Sequence, residues 1–109
     1  MDTYKAADSF SALSQTTRID VLRLLIKAGR QGMPAGEIGE RLDVRQNTMS
    51  ANLAVLLRAG LVRNERQGRT IRYFADLDGI GELLGFLMED CCGGRPELCQ
   101  SIIEEVACP

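Results

Sequence analysis

Gln46-Asn47-Thr48-Met49-Ser50-Ala51-Asn52-Leu53-Ala54-Val55-Leu56-Leu57-Arg58-Ala59-Gly60 is the stretch whose reading decides the fold. Met49, Leu53, Leu56 and Leu57 recur at i, i+4, i+7 and i+8, which places them on one face of a helix over roughly 46–59 that Gly60 closes. The opposite face at the N-terminal half carries Gln46, Asn47, Ser50 and Asn52, with Thr48 beside them. Amides and hydroxyls at a helix start are tools for reading base edges, because Gln and Asn offer paired donor and acceptor groups to adenine. Alone, such a face is equally a solvated surface, so its neighbours decide.

On the N-terminal side, Pro34 opens a short helix over 35–42 whose inward residues are predicted to be Ile38 and Leu42, and Asp43-Val44-Arg45 makes a brief turn. Two short helices joined by a tight turn form a helix-turn-helix pattern. Arg45 stands where a small capping residue is expected. On the C-terminal side, residues 61–66 and 70–74 read as two strands around a Gln67-Gly68-Arg69 turn, a basic hairpin that reads as a wing. Its Arg66 and Arg69 suit phosphates or the minor groove, contacts that position more than they specify.

Further out, Thr3 to Leu13 reads as a first helix with Tyr4, Ala7, Phe10 and Leu13 at helical spacing. Ser14-Gln15-Thr16-Thr17 interrupts it, and Thr17 with Asp20 could form a capping box. The second helix, with Ile19, Val21, Leu22, Leu24, Leu25 and Ile26, is apolar on most sides and is predicted to lie at the centre of the core. A fifth helix over 78–90 presents Ile80, Leu83, Leu84 and Leu87 on one stripe, and a short last helix spans 97–106. The predicted fold is mainly α with a small β-hairpin. It is one winged helix-turn-helix domain over 1–109, with the helix-turn-helix at about 34–60, the wing at about 61–75, and a dimer helix and thiol site at about 78–108.

Charge supports this layout although the net value is only −2. Residues 41–75 carry seven arginines against Asp43 and Glu65, a local +5, whereas residues 76–109 carry Arg95 against eight acids, a local −7. A basic middle suits a polyanion partner. The 109 residues suffice for one small core, and such chains often complete their burial by dimerising. The opening Met-Asp-Thr-Tyr-Lys lacks a secretory pattern and no apolar run reaches membrane-spanning length, which predicts a reducing cytoplasm for the four cysteines. The chain has no histidine, which removes the commonest metal ligand and general base.

The chemistry-bearing segment is Glu89-Asp90-Cys91-Cys92-Gly93-Gly94-Arg95-Pro96-Glu97-Leu98-Cys99. Dense thiolates favour soft, thiophilic acceptors. Adjacent Cα atoms lie only ~3.8 Å apart, so a Cys91–Cys92 disulfide would be strained whereas one larger atom bridging both sulfurs would not. The Gly-Gly-x-Pro turn can return Cys99 as a third donor, with Cys108 as a fourth ligand or a bystander. Three such sulfurs suit one soft, thiophilic acceptor. Thiol redox sensing and a Cd or Pb site remain open, Glu89 and Asp90 favouring cations, and a structural zinc site ranks last because the spacing departs from a knuckle. A small thiol reductase is the unrelated alternative, but the thiols follow a helix C-terminus among acids and there is no Cys-x-x-Cys.

The order helix, helix, helix-turn-helix, arginine hairpin, terminal helix resembles the ArsR/SmtB family of metal-responsive repressors. Ala12-Leu13-Ser14-Gln15-Thr16-Thr17-Arg18 resembles that family's entry to the second helix, Gln46 to Leu53 its recognition helix, and Ala59-Gly60-Leu61-Val62 its exit into the wing. The likeness covers roughly residues 5–90. It implies a homodimer paired through the first and fifth helices that binds double-stranded operator DNA and releases it on ligand binding. DNA contacts are then expected from Arg45, Gln46, Asn47, Thr48, Ser50, Asn52, Arg66 and Arg69. The family's third-helix Cys-x-Cys site is missing, since Pro34 and Gly36 stand there, and its Asp/His site is impossible without histidine. Cys91, Cys92 and Cys99 are similar to an arsenic-sensing subgroup's Asn-Cys-Cys pair and downstream Cys, with Asp90 replacing the Asn. The resemblance thus implies As(III) or Sb(III) as inducer and no catalytic cofactor.

Overall fold

The computed structural model describes residues 1–89 and 100–106. Its elements are α1 (Thr3–Ala12), α2 (Thr16–Ala28), a 3-10 turn (Gly29–Gln31), β1 (Met33–Pro34), α3 (Ala35–Leu42), α4 (Gln46–Arg58), β2 (Val62–Gln67), β3 (Thr70–Ala75), α5 (Leu77–Leu87) and α6 (Gln100–Val106). The fold is a winged helix-turn-helix, mainly helical with a small antiparallel sheet. The sheet has three strands, not two, in the order β1-β3-β2. The hairpin registers Val62 with Ala75 through Gln67 with Thr70, leaving Gly68-Arg69 as a two-residue turn. Gly68 takes φ +65° at the first central position, where a type II′ turn calls for glycine. β1 adds Met33 opposite Tyr73 and Pro34 opposite Arg72, too short a run to stand out in the sequence. Gly32, at φ +59°, makes that pairing possible, because a Cβ there would run into the Tyr73 carbonyl and the Phe74 ring.

The core is built on α2, α3, α4 and the sheet. Val21, Leu25, Ile38, Met49, Leu53 and Leu56 have no accessible surface, and Leu61, Val62, Phe74 and Leu83 close around them. Ile38 is inward as predicted, and Leu42 packs half-buried against the same core. α2 is one-sided, however. Val21, Leu22 and Leu25 are buried while Ile19 and Ile26 are exposed, because α3 and the sheet cover only one flank. Its start is capped by Gln15, whose Oε1 accepts the Arg18 N–H at 2.9 Å, so the Thr17–Asp20 capping box is replaced by an earlier cap. α5 likewise starts before Asp78, since Asp76 accepts the Gly79 N–H at 3.0 Å.

α1 inverts the apolar stripe. Ala6, Ser9 and Ala12 face inward, whereas Tyr4 is 85% exposed and Phe10 43%. Small side chains let α1 approach α4 and α5 closely, and the large apolar ones point away. α5 does the same with a different division: Leu83 is buried, Ile80 and Phe86 pack on the core, and Leu77, Leu84 and Leu87 are exposed. Two helices in mutual contact therefore present outward apolar side chains.

Gly32 in the α2–α3 connection and Gly36 in the first turn of α3 separate two effects. Gly32→Ala is expected to destabilise the chain by roughly 2–4 kcal/mol, through positive φ and overpacking together. Gly36→Ala, where nothing lies within 4 Å of the added carbon, is expected to stabilise by about 0.5 kcal/mol. Urea unfolding midpoints moving in opposite directions would check both; a neutral Gly32→Ala would contradict the packing of β1.

Candidate nucleic-acid interface

α3 is stopped by a left-handed residue, Asp43, at φ 54° and ψ 50°. Its N–H donates back to the Glu40 and Gly39 carbonyls, and the Val44 N–H follows to the Gly39 carbonyl at 2.9 Å. Asp is one of the few non-glycine residues that take this conformation readily. The chain then leaves through Arg45 in an extended conformation and enters α4 at once, with the Met49 N–H bonding to the Arg45 carbonyl at 2.8 Å. The turn is tight because Gly39 has no side chain: a Cβ there would meet the Val44 carbonyl and the Gln46 amide. α3 and α4 are thus held at a fixed angle with the start of α4 projecting.

That projecting end carries most of the residues singled out for DNA. Arg45, Gln46, Asn47, Thr48 and Ser50 are all exposed, with Ala51 exposed beside them as a methyl surface of the kind that meets thymine. Arg45 caps α4 by backbone conformation alone and makes no side-chain cap, which leaves its guanidinium outside the helix. Asn47 Oδ1 accepts the Thr48 N–H at 2.8 Å, supplying a cap from inside the first turn. Gln46 lies across Gly39 with its Nε2 reaching the Ala35 carbonyl at 3.5 Å, so its amide is directed partly at α3.

Asn52 is the correction. It is only 6% exposed, and its Oδ1 accepts a hydrogen bond from Arg18 Nη1 at 3.1 Å. Position 52 lies one turn from both Met49 and Leu56, so it sits at the inner flank of the helix rather than on the groove face. Its side chain is spent on the fold. Arg18, the other half of this bond, belongs to no DNA-reading pattern in the sequence. The one signal available was an arginine placed in the first turn of α2, where the helix dipole disfavours a cation unless another contact holds it.

The arginines of the basic segment also divide. Arg72 donates to the Gln31 carbonyl at 2.8 Å, the Gly32 carbonyl at 3.4 Å and Gln67 Oε1 at 3.2 Å, tying the hairpin to the chain entering β1. Arg63 lies over the Phe74 ring, 4.3 Å from its centroid. Arg66 and Arg69, at and beside the turn, are exposed. The wing tip is therefore basic, and the wing base uses its arginines as cross-links. Cys91, Cys92, Cys99 and Cys108 lie outside the described residues, as does the expected return of Cys99 toward the pair. Among the described residues no cluster of three His, Cys, Asp or Glu side chains could hold a metal ion, and no helix is long and apolar enough to cross a membrane.

A projecting helix of amides and hydroxyls, flanked by a basic two-stranded tip, defines a winged-helix DNA-binding protein. Comparison with known proteins agrees. A helix-turn-helix domain model matches residues 13–65. The uncharacterized HTH-type transcriptional regulator YbzH of Bacillus subtilis is 34% identical, over 72% of this chain and 90% of the relative. An ArsR-like transcriptional regulator from Rhodococcus superposes with a TM-score of 0.71 at 29% identity, covering 95% of this chain and 93% of that one. The homodimeric winged helix-turn-helix domain of Mb0332 from Mycobacterium bovis, a possible ArsR-family regulator, gives 0.61 at 25% identity over 84% of each chain. The chain belongs to the ArsR/SmtB-type family of helix-turn-helix transcriptional regulators, and is a DNA-binding regulator rather than an enzyme.

Arg69 separates positioning from reading. Arg69→Ala is expected to weaken binding to all duplexes alike and to reduce the slope of log K against log salt by about 1. A change of base preference at constant slope, measured by fluorescence anisotropy across salt concentrations, would contradict a phosphate contact.

Proposed function

We propose that this chain is a homodimeric transcriptional repressor that releases its operator when Cys91, Cys92 and Cys99 capture As(III) or Sb(III). The observation that carries the reading is a juxtaposition in the chain. Three sulfur ligands within nine residues begin four residues after the end of α5, the helix whose Leu77, Leu84 and Leu87 stand exposed. The outward faces of α1 and α5 are the surface through which two copies would pair, a reading supported by their apolar exposure and by the homodimeric relative Mb0332. Two recognition helices related by a twofold axis would then address half-sites about one helical turn, roughly 34–36 Å, apart.

The sensor chemistry balances without a co-reactant. Neutral As(OH)₃ meeting three thiols forms three As–S bonds and expels three waters, with no net proton release. A divalent metal that displaces thiol protons must release them. As(III) keeps a lone pair and takes three sulfurs in a trigonal pyramid, so Cys108 is not required. Binding at the end of a dimerising helix would bias the geometry of the dimer and hence the spacing of the two α4 helices. The linkage is reciprocal: if the metalloid weakens DNA binding, DNA weakens metalloid binding by the same factor.

The test is fluorescence anisotropy of the reduced chain on a bound duplex, titrated separately with arsenite, Zn²⁺, Cd²⁺ and peroxide. Arsenite is expected to release the DNA, and Cys92→Ser to abolish that release while leaving DNA affinity unchanged. Release by peroxide alone would make the thiols a redox switch, and release by Cd²⁺ alone a cation site; either result contradicts the metalloid reading.

A further inference from the structure

α4 is tied to α3 by Gln46 on the Ala35 carbonyl, and two further polar links both lead to the α1–α2 corner. The first is Arg18, in the opening turn of α2. Its Nε donates to the carbonyl of Ala12, the last residue of α1, at 2.5 Å, and its Nη1 donates to Asn52 Oδ1 in the middle of α4 at 3.1 Å. The second is Ser9 of α1, fully buried, whose Oγ donates to the Ala59 carbonyl at the C-terminal end of α4 at 3.3 Å. Residues 52 and 59 are two turns apart, about 10 Å along the axis. Two anchors at that separation set both the position and the tilt of a helix. A cleft of about 450 Å³, lined by Arg18, Val55, Arg58 and Ala59 among others, lies beside these links.

We infer that Arg18 is a positioning residue for DNA recognition, fixing the recognition helix to the end of α1 through Asn52. The inference rests on α4 being the helix that reads DNA. Arg18 itself lies off the exposed face formed by Arg45, Gln46, Asn47, Thr48 and Ser50, and acts through the helix that carries them. A base contact tolerates little displacement, because N–H···O bonds span only about 2.7–3.2 Å. A phosphate contact from a long arginine at the wing tip tolerates more. Loosening the Arg18 anchor should therefore cost sequence discrimination and spare general affinity. In the proposed dimer α1 also carries part of the pairing surface, so the same anchor would convey a change of dimer geometry to α4.

A duplex enriched by the full-length chain from a random-sequence pool, and a scrambled version of it, provide the test. Affinities for both would be measured for the wild type, Arg18→Lys, Asn52→Ala and the double variant, with melting temperatures alongside. Arg18→Lys keeps the charge but loses the forked donor geometry. Each single variant is expected to lose about tenfold on the enriched duplex and less than about twofold on the scrambled one, at unchanged salt slope. The double variant is expected to be no worse than the weaker single, because both remove one link. Asn52→Asp retains an acceptor for Arg18 and is expected to keep the wild-type ratio of the two affinities; the added charge weakens both duplexes alike, so the ratio remains readable even if Arg18→Lys fails to fold. Equal losses on both duplexes, additive losses in the double variant, or discrimination lost in Asn52→Ala but kept in Arg18→Lys would each overturn the inference. The last result would mean that Asn52 touches a base. If the wild type enriches no duplex, the DNA reading fails and the inference with it.

Discussion

α4 has to be buried and exposed at once, and the rest of the chain depends on how it does so. Met49, Leu53 and Leu56 are sealed in the core while the residues one turn earlier and on the far side stand free. Burying those side chains holds the helix at roughly 1.5–3 kcal/mol each, far more than any surface contact supplies. Apolar contact is not itself directional, so groups at the edges of the helix add to what the packing fixes. At its edges Gly39 leaves room for the turn to close, Arg18 holds Asn52 and Ser9 holds the Ala59 carbonyl.

The wing is organised by the same logic. Its base is cross-linked by Arg72 onto the Gln31 and Gly32 carbonyls, which ties the hairpin to the chain entering β1, and by Arg63 over Phe74, which joins β2 to β3. Only the tip is left with exposed guanidinium groups. A local charge of +5 is thus partly architecture and partly interface, and the number of arginines in a segment overstates the number that can meet a phosphate.

Much of this was legible in the sequence. The α3–turn–α4 unit and the hairpin announced themselves through a period of 3.6 giving way to strands around Gly68, and Ile38, Met49, Leu53 and Leu56 fell inside as their spacing requires. What could not be read was which side of a helix meets the core. The Tyr4/Phe10 stripe of α1 has clear periodicity, yet Ala6, Ser9 and Ala12 face inward, because close helix approach selects small residues and periodicity carries no sign. Ile19 and Ile26 misled in the same way on α2. The chemistry of Asn52 suits a groove residue, but its one-turn spacing from Met49 and Leu56 places it inward. β1 was invisible because two residues ending in proline make no pattern.

The direct test of the account is amide hydrogen exchange of the full-length chain with and without its enriched duplex. The first-turn amides of α4 lack intrahelical partners, apart from the Thr48 N–H held by Asn47, and so report contact from outside. Protection concentrated at residues 45–51 and 66–69, with the outward faces of α1 and α5 unchanged, is the predicted result. Protection confined to α1 and α5, with none in α4, would contradict the assignment of the DNA-reading face.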